Sequence, residues 1–153
     1  MKLISHRGNI NGKQTTKENR PSYILNAISE GFDVEVDVWF INNVWFLGHD
    51  RPDFKIDFKW LKQKSNLLWV HCKNIAAIEE FKRLEIENDD RNINYFYHNT
   101  DDVTLTSHGY IWKFPGIPHI NNSINVMPEI HNEDIKKSLG VCSDYISNYK
   151  HIK

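Results

Sequence analysis

Histidines and carboxylates near neutral pH are the side chains that move protons and hold metal ions, and this chain places them at spacings that suggest both tasks. Val34-Glu35-Val36-Asp37-Val38 alternates strictly between apolar and acidic residues. In a strand, residues two apart share a face, so Glu35 and Asp37 point the same way and the three valines point the other. Two like charges on one inner face are costly unless a cation compensates them, and a divalent ion with oxygen ligands does so. A solvated acidic face is the plainer alternative for the same pattern. His71 and Lys73 repeat the two-residue spacing on a later apolar run. His71 is a candidate third metal ligand, and Lys73 a candidate counter-charge for a bound phosphate. His6, followed by Arg7-Gly8, and His49, between Gly48 and Asp50, are candidates for a general acid and a general base, because imidazole titrates close to neutrality.

Those residues fall at the ends of short β-branched and aromatic runs bounded by Gly, Pro, Asn or Asp. Eight runs read as strands: 3–8, 34–39, 67–73, 93–99, 103–107, 110–115, 124–129 and 141–145. Asn42-Asn43, between Trp39-Phe40-Ile41 and Val44-Trp45-Phe46-Leu47, reads as a hairpin turn. Apolar periodicity predicts helices over 21–30, 57–64, 75–87 and, more weakly, 132–139. The alternation of strand and helix in the first half predicts a parallel sheet. The closed form for eight such strands is an α/β fold, a shortened (β/α)8 barrel with helices missing from its second half. The whole chain, 1–153, reads as one domain. In such a barrel the site lies at the C-terminal strand ends, where Glu129 and Asp144 join the candidates. Glu129 reads equally well as a helix N-terminal residue. Lys113 reads more simply as solvated than as a phosphate contact.

A formal net charge of −1 offers no broad basic field for nucleic acid. No apolar run approaches the length of a membrane span, and the N-terminus has no signal-peptide core, so a cytoplasmic location is expected. Two cysteines, Cys72 and Cys142, lie within apolar runs and read as free buried thiols.

The ordered set His6-Arg7-Gly8, Glu18-Asn19, Gly31-Phe32-Asp33-Val34-Glu35-Val36-Asp37-Val38 and Gly48-His49-Asp50 resembles the glycerophosphodiester phosphodiesterase family, within the phosphatidylinositol phospholipase C-like phosphodiesterases. The resemblance is specific over residues 2 to 50. It is looser at Val70-His71-Cys72-Lys73 and Gly140-Val141-Cys142-Ser143-Asp144-Tyr145. It implies a barrel that binds Mg or Ca, with Glu35 and Asp37 as ligands, His6 and His49 as the acid–base pair, Arg7 on the phosphate and Glu18-Asn19 beside the first loop. It also implies attack by an adjacent substrate hydroxyl, giving a cyclic phosphate that water then opens. The chain departs from the family where Glu-x-Lys becomes His71-Cys72-Lys73, a change that turns an all-oxygen site into a nitrogen–oxygen site and admits Mn or Zn. The expected partner is a small-molecule or lipid-derived phosphodiester. Outer surface left bare by missing helices further predicts a homodimer. The competing expectation is a phosphate-binding module without turnover, which would need a cation and Arg7 but not two proton carriers.

Overall fold

The computed structural model describes residues 1–89 and 91–152. Each predicted strand falls on an observed one. They are β1 (Lys2–His6), β2 (Asp33–Ile41), β5 (Leu68–Cys72), β6 (Asn94–Tyr97), β7 (Val103–Leu105), β8 (Ile111–Lys113), β9 (Ser123–Val126) and β10 (Gly140–Ser143). The Asn42-Asn43 turn closes a hairpin from β2 to β3 (Val44–Leu47), with both asparagines at positive φ. Another strand, β4 (Phe54–Ile56), pairs with β3. Helices α1 (Pro21–Ser29), α2 (Phe58–Lys62) and α3 (Ile75–Asn88) match three of the four predicted.

The architecture corrects the expected (β/α)8 barrel. Among the described residues the chain forms a curled, mixed sheet of ten strands with three short α-helices. Strands β6-β5-β2-β1-β10-β9-β8 run parallel in that spatial order, while β3, β4 and β7 pair antiparallel. Alternating helices are absent because the segments after β6 do not supply them. Segment 98–102 leads into an antiparallel strand, and 114–122 crosses between parallel neighbours as a loop. The predicted helix at 132–139 is also corrected to turns. Its backbone is used elsewhere, with Leu139 N–H donating to Ser123 O at 2.9 Å and Lys137 O accepting from Asn122 N–H at 2.9 Å. The 3-10 turns Pro128–Ile130 and Ile146–Tyr149 lie to either side of this segment. The sheet curls far enough for the 104–107 segment to reach β6: Ser107 N–H donates to Tyr95 O at 2.7 Å, and Tyr95 N–H to Ser107 Oγ at 3.0 Å.

Alternation along the strands divides the core. Val34, Val36, Val38, Val70 and Cys72 face outward under the helices, packing with Ile24 and Ala27 of α1, Leu61 of α2, and Ala77 and Phe81 of α3. The buried residues of α3 are Ala77 and Phe81, while Ile75 in its first turn is exposed. The inner face is apolar at its floor, with Ile4, Trp69, Phe96, Trp112, Ile124 and Cys142 in contact. Both cysteines are free and buried, as expected, and burial pushes both thiols up from their ordinary pKa. Among the described residues no helix is long and apolar enough to cross a membrane.

Candidate metal and acid–base site

The site exists because β2 is forked. Its first half pairs with β1 through Ile4↔Asp33, Ser5↔Val34 and His6↔Glu35. Beyond Glu35, β1 has ended, and the same edge of β2 is taken by β3 from the opposite direction, with Val38↔Leu47 as its last pair. One chain therefore leaves the sheet at His6-Arg7 and another at Gly48-His49, facing each other across Asp37. Arg7 N–H donates to Glu35 O at 3.0 Å and Gly48 N–H to Asp37 O at 3.1 Å. Asn19 fills the gap between them, accepting from Asp37 N–H at 3.0 Å and donating to Asp37 Oδ2 at 2.8 Å. Two glycines permit these exits. At Gly8 (φ +93°) a Cβ would lie 2.6 Å from the Tyr23 ring, and at Gly48 (φ +147°) 2.0 Å from Arg51 O. Either contact is closer than a side chain tolerates, and both φ values suit glycine.

Glu35 and Asp37 do share the inner face, at 2% and 0% exposure. His71, from the neighbouring β5, completes a triad whose ligand atoms all lie within 4.8 Å of one another. His71 Nδ1 is 3.1 Å from Asp37 Oδ1 and 3.7 Å from Glu35 Oε1. Its other nitrogen, Nε2, is 3.0 Å from the carbonyl of His98, which turns Nδ1 toward the acids. Glu35 Oε2 is buried without a hydrogen-bond partner. Buried carboxylate oxygens are normally satisfied, so an orphaned one beside a second carboxylate and an imidazole nitrogen fits a divalent cation. The mixed donor set admits Mn or Zn as well as Mg.

Cations surround the acids. Arg7 Nε lies 2.9 Å from Asp37 Oδ2 and Lys73 Nζ 3.6 Å from Asp37 Oδ1, and Arg7 also reaches Glu18 Oε2 at 3.4 Å. Burial alone would raise the Asp37 pKa, but His71, Arg7 and Lys73 outweigh it and hold the carboxyl well below the usual range. Burial likewise disfavours the His71 imidazolium, yet Asp37 and Glu35 overcome it and raise the His71 pKa to about 9. A metal would displace that proton.

His6 and His49 line the same cleft as Glu35 and His71. Each has its Nδ1 on a carboxylate: His6 on Asp144 Oδ1 at 2.7 Å, His49 on Asp50 Oδ1 at 2.6 Å. In each ring Nε2 is the nitrogen left over for proton exchange, and in His6 it faces Glu35 Oε2 at 3.9 Å. Burial raises the Asp144 pKa, but His6 and Asn9 more than offset it and lower it.

Of the remaining predicted residues, Glu18 bonds Asn9 Nδ2 at 2.9 Å and so supports the first loop. Glu129 is turned from the cleft, accepting from Ser143 Oγ at 2.7 Å and Tyr149 O–H at 3.0 Å. Lys113, expected in solvent, is wholly buried on Glu133 Oε2 at 2.6 Å. Sequence reasoning passed over three residues. Asn9, buried, donates to Asp144 Oδ1 at 2.8 Å, and its signal was its place just after His6-Arg7-Gly8. Trp39 continues the Glu35–Asp37 face and donates to Gly48 O at 2.6 Å, fixing the approach to His49. His98 lines the cleft with both ring nitrogens unpartnered, and burial together with His71 lowers its pKa. No family model, curated protein or solved structure matches the chain.

Proposed function

We propose that the chain is a cation-dependent phosphodiester hydrolase, related in chemistry to the glycerophosphodiester phosphodiesterases that its motifs resemble. The observation that carries the reading is the triad of Glu35, Asp37 and His71, with an orphaned Glu35 oxygen, beside a cleft that two carboxylate-supported histidines also line. A divalent cation held there would neutralise charge developing on a phosphoryl oxygen. Arg7 and Lys73 add fixed positive charge beside it. One of His6 and His49 takes the proton from the attacking hydroxyl at Nε2, and the other gives a proton to the departing alcohol. Asp144 and Asp50 hold the two rings by Nδ1 and so orient them. A phosphate-binding module without turnover would require the cation and Arg7, but not a second proton carrier such as His49. Action in the cytoplasm belongs to the same reading, supported by the free thiols of Cys72 and Cys142.

The test is hydrolysis of bis-p-nitrophenyl phosphate and of glycerophosphodiesters with Mg, Ca, Mn or Zn. His6→Ala and His49→Ala are each expected to lower kcat by about 10²–10⁴-fold. Equal rates in the parent and both variants would remove the catalytic assignment.

A further inference from the structure

The cleft above the triad, about 600 Å³, has two unlike walls. One carries His6, Arg7, Glu35, His71 and Lys73; the other is formed by Trp112, Phe114, Pro115, Val126, Met127 and Ile130. Phe114 and Ile130 remain 45% and 58% exposed, so the apolar wall reaches the mouth of the cleft. Its two segments are held by buried polar ties. Lys113 Nζ donates to Ile117 O at 2.9 Å and Phe114 O at 3.4 Å as well as to Glu133. Glu133 Oε1 accepts from Gly116 N–H at 2.7 Å. A buried lysine is costly unless paired, and what this pair fixes is the 114–117 loop. Glu129 does the same for the Pro128–Ile130 turn through Ser143 and Tyr149. The His98 ring lies 4.8 Å from that of Phe114 and continues the wall toward His71. On the far side of Arg7 and His49 is a second cavity of about 450 Å³, polar in character, with Lys13, Thr15 and Arg51 among its lining.

We propose that this site takes an asymmetric phosphodiester, one of whose alcohols is apolar and lies against Trp112, Phe114, Met127 and Ile130. The position of the phosphoryl group, over the triad, rests on the phosphodiesterase reading. The polar alcohol then extends past Arg7 and His49 into the second cavity. Charge complementarity sets the orientation, because the apolar wall offers nothing to a phosphate and the cationic wall nothing to an alkyl chain. The polar ties are positioning devices: they act on the ligand only through Phe114, Pro115 and Ile130.

The experiment is calorimetric titration of the full chain, loaded with Mg and separately with Mn, using methyl, propyl and hexyl phosphate. Full burial of a methylene is worth roughly fourfold in affinity. Along a half-open wall, Kd is expected to fall about twofold per methylene. The double variant Phe114→Ser, Ile130→Ser should flatten the series, with hexyl phosphate losing most affinity and methyl phosphate least. Both positions are exposed, so folding is expected to survive, with circular dichroism as the check. Equal affinity for all three phosphates in the parent overturns the apolar wall and leaves the phosphate site standing. An undiminished chain-length gain in the double variant overturns the assignment to this wall. Failure of every phosphate to bind overturns both the inference and the reading beneath it.

Discussion

At the same height in the curled sheet, the β1-β2-β5 side and the β8-β9 side present opposite chemistry. The first buries Glu35, Asp37 and His6 above its floor, with His71 half-buried beside them. The second carries Trp112 and Val126, continued by Phe114 and Met127. The outer coverings differ too. Helices α1 and α3 pack on the valines of β2, whereas loops and 3-10 turns follow β8 and β9. The difference teaches where each side draws its order. The polar side is a network of mutually dependent charges on a helix-backed strand, and Asp37 is its centre. The apolar side is shaped by local packing and held by a few buried ions behind it.

Removing that centre should have the largest effect. Asp37→Ala leaves Arg7, Lys73 and a protonated His71 facing one another without their shared carboxylate. Breaking a buried pair in this way costs about 3–5 kcal/mol, readable as a shift in the urea midpoint. An unchanged midpoint would show that the polar side does not depend on Asp37.

Next in size is the pH response of the metal-free chain. His71 has its pKa raised to about 9 by Asp37 and Glu35 against burial, from an ordinary 6.5. A group raised on folding stabilises fully below its unfolded pKa and loses that contribution as pH rises through the folded one. Stability should therefore decline between about pH 6.5 and 9, by as much as a few kcal/mol. Over the same interval metal affinity should increase with pH, because proton and cation compete for His71. Denaturation at fixed ionic strength, and metal titration across the range, follow the two trends; His71→Ala should abolish both.

The apolar side should respond more weakly and without effect on the chemistry. Ile124→Val, in the inner floor and fully buried, is expected to cost about 0.5–1.5 kcal/mol and to leave cation binding unchanged. A large loss of metal affinity in this variant would mean that the two sides are coupled through the floor. Smallest of all is Arg83→Ala on the exposed face of α3. It breaks ion pairs with Glu80 and Glu87, yet solvated pairs of this kind contribute little, and the thermal midpoint should stay within error.

The same division accounts for how much could be read from sequence. Glu35, Asp37 and His71 were legible because a strand converts two-residue spacing directly into a shared face. Asp144 was legible because the last strand lies beside the first, as β1 and β10 do. The fork of β2 was not: the Asn42-Asn43 hairpin could be seen, but not that β3 would take up the edge that β1 vacates after His6. That edge sharing, with antiparallel β4 and β7, makes the sheet mixed, and loops where crossover helices were expected leave it without the helical layer of a (β/α)8 barrel. Lys113 was unreadable for another reason. A lysine in a short strand is ordinarily solvated, and it is the Glu133 carboxylate, twenty residues on, with the Ile117 carbonyl, that makes its burial tolerable. Glu129 read equally as a site carboxylate or a helix N-terminal residue because its partners, Ser143 and Tyr149, are brought to it only by the tertiary fold.

The central claim is that Glu35, Asp37 and His71 together form a cation centre. It is tested most directly by titrating Mn into the metal-free chain and its isosteric Glu35→Gln variant, with bound ion counted by electron paramagnetic resonance. The account predicts one ion per chain in the parent and at least a tenfold weaker site in the variant. Equal binding in the two, or no binding in the parent, would contradict it.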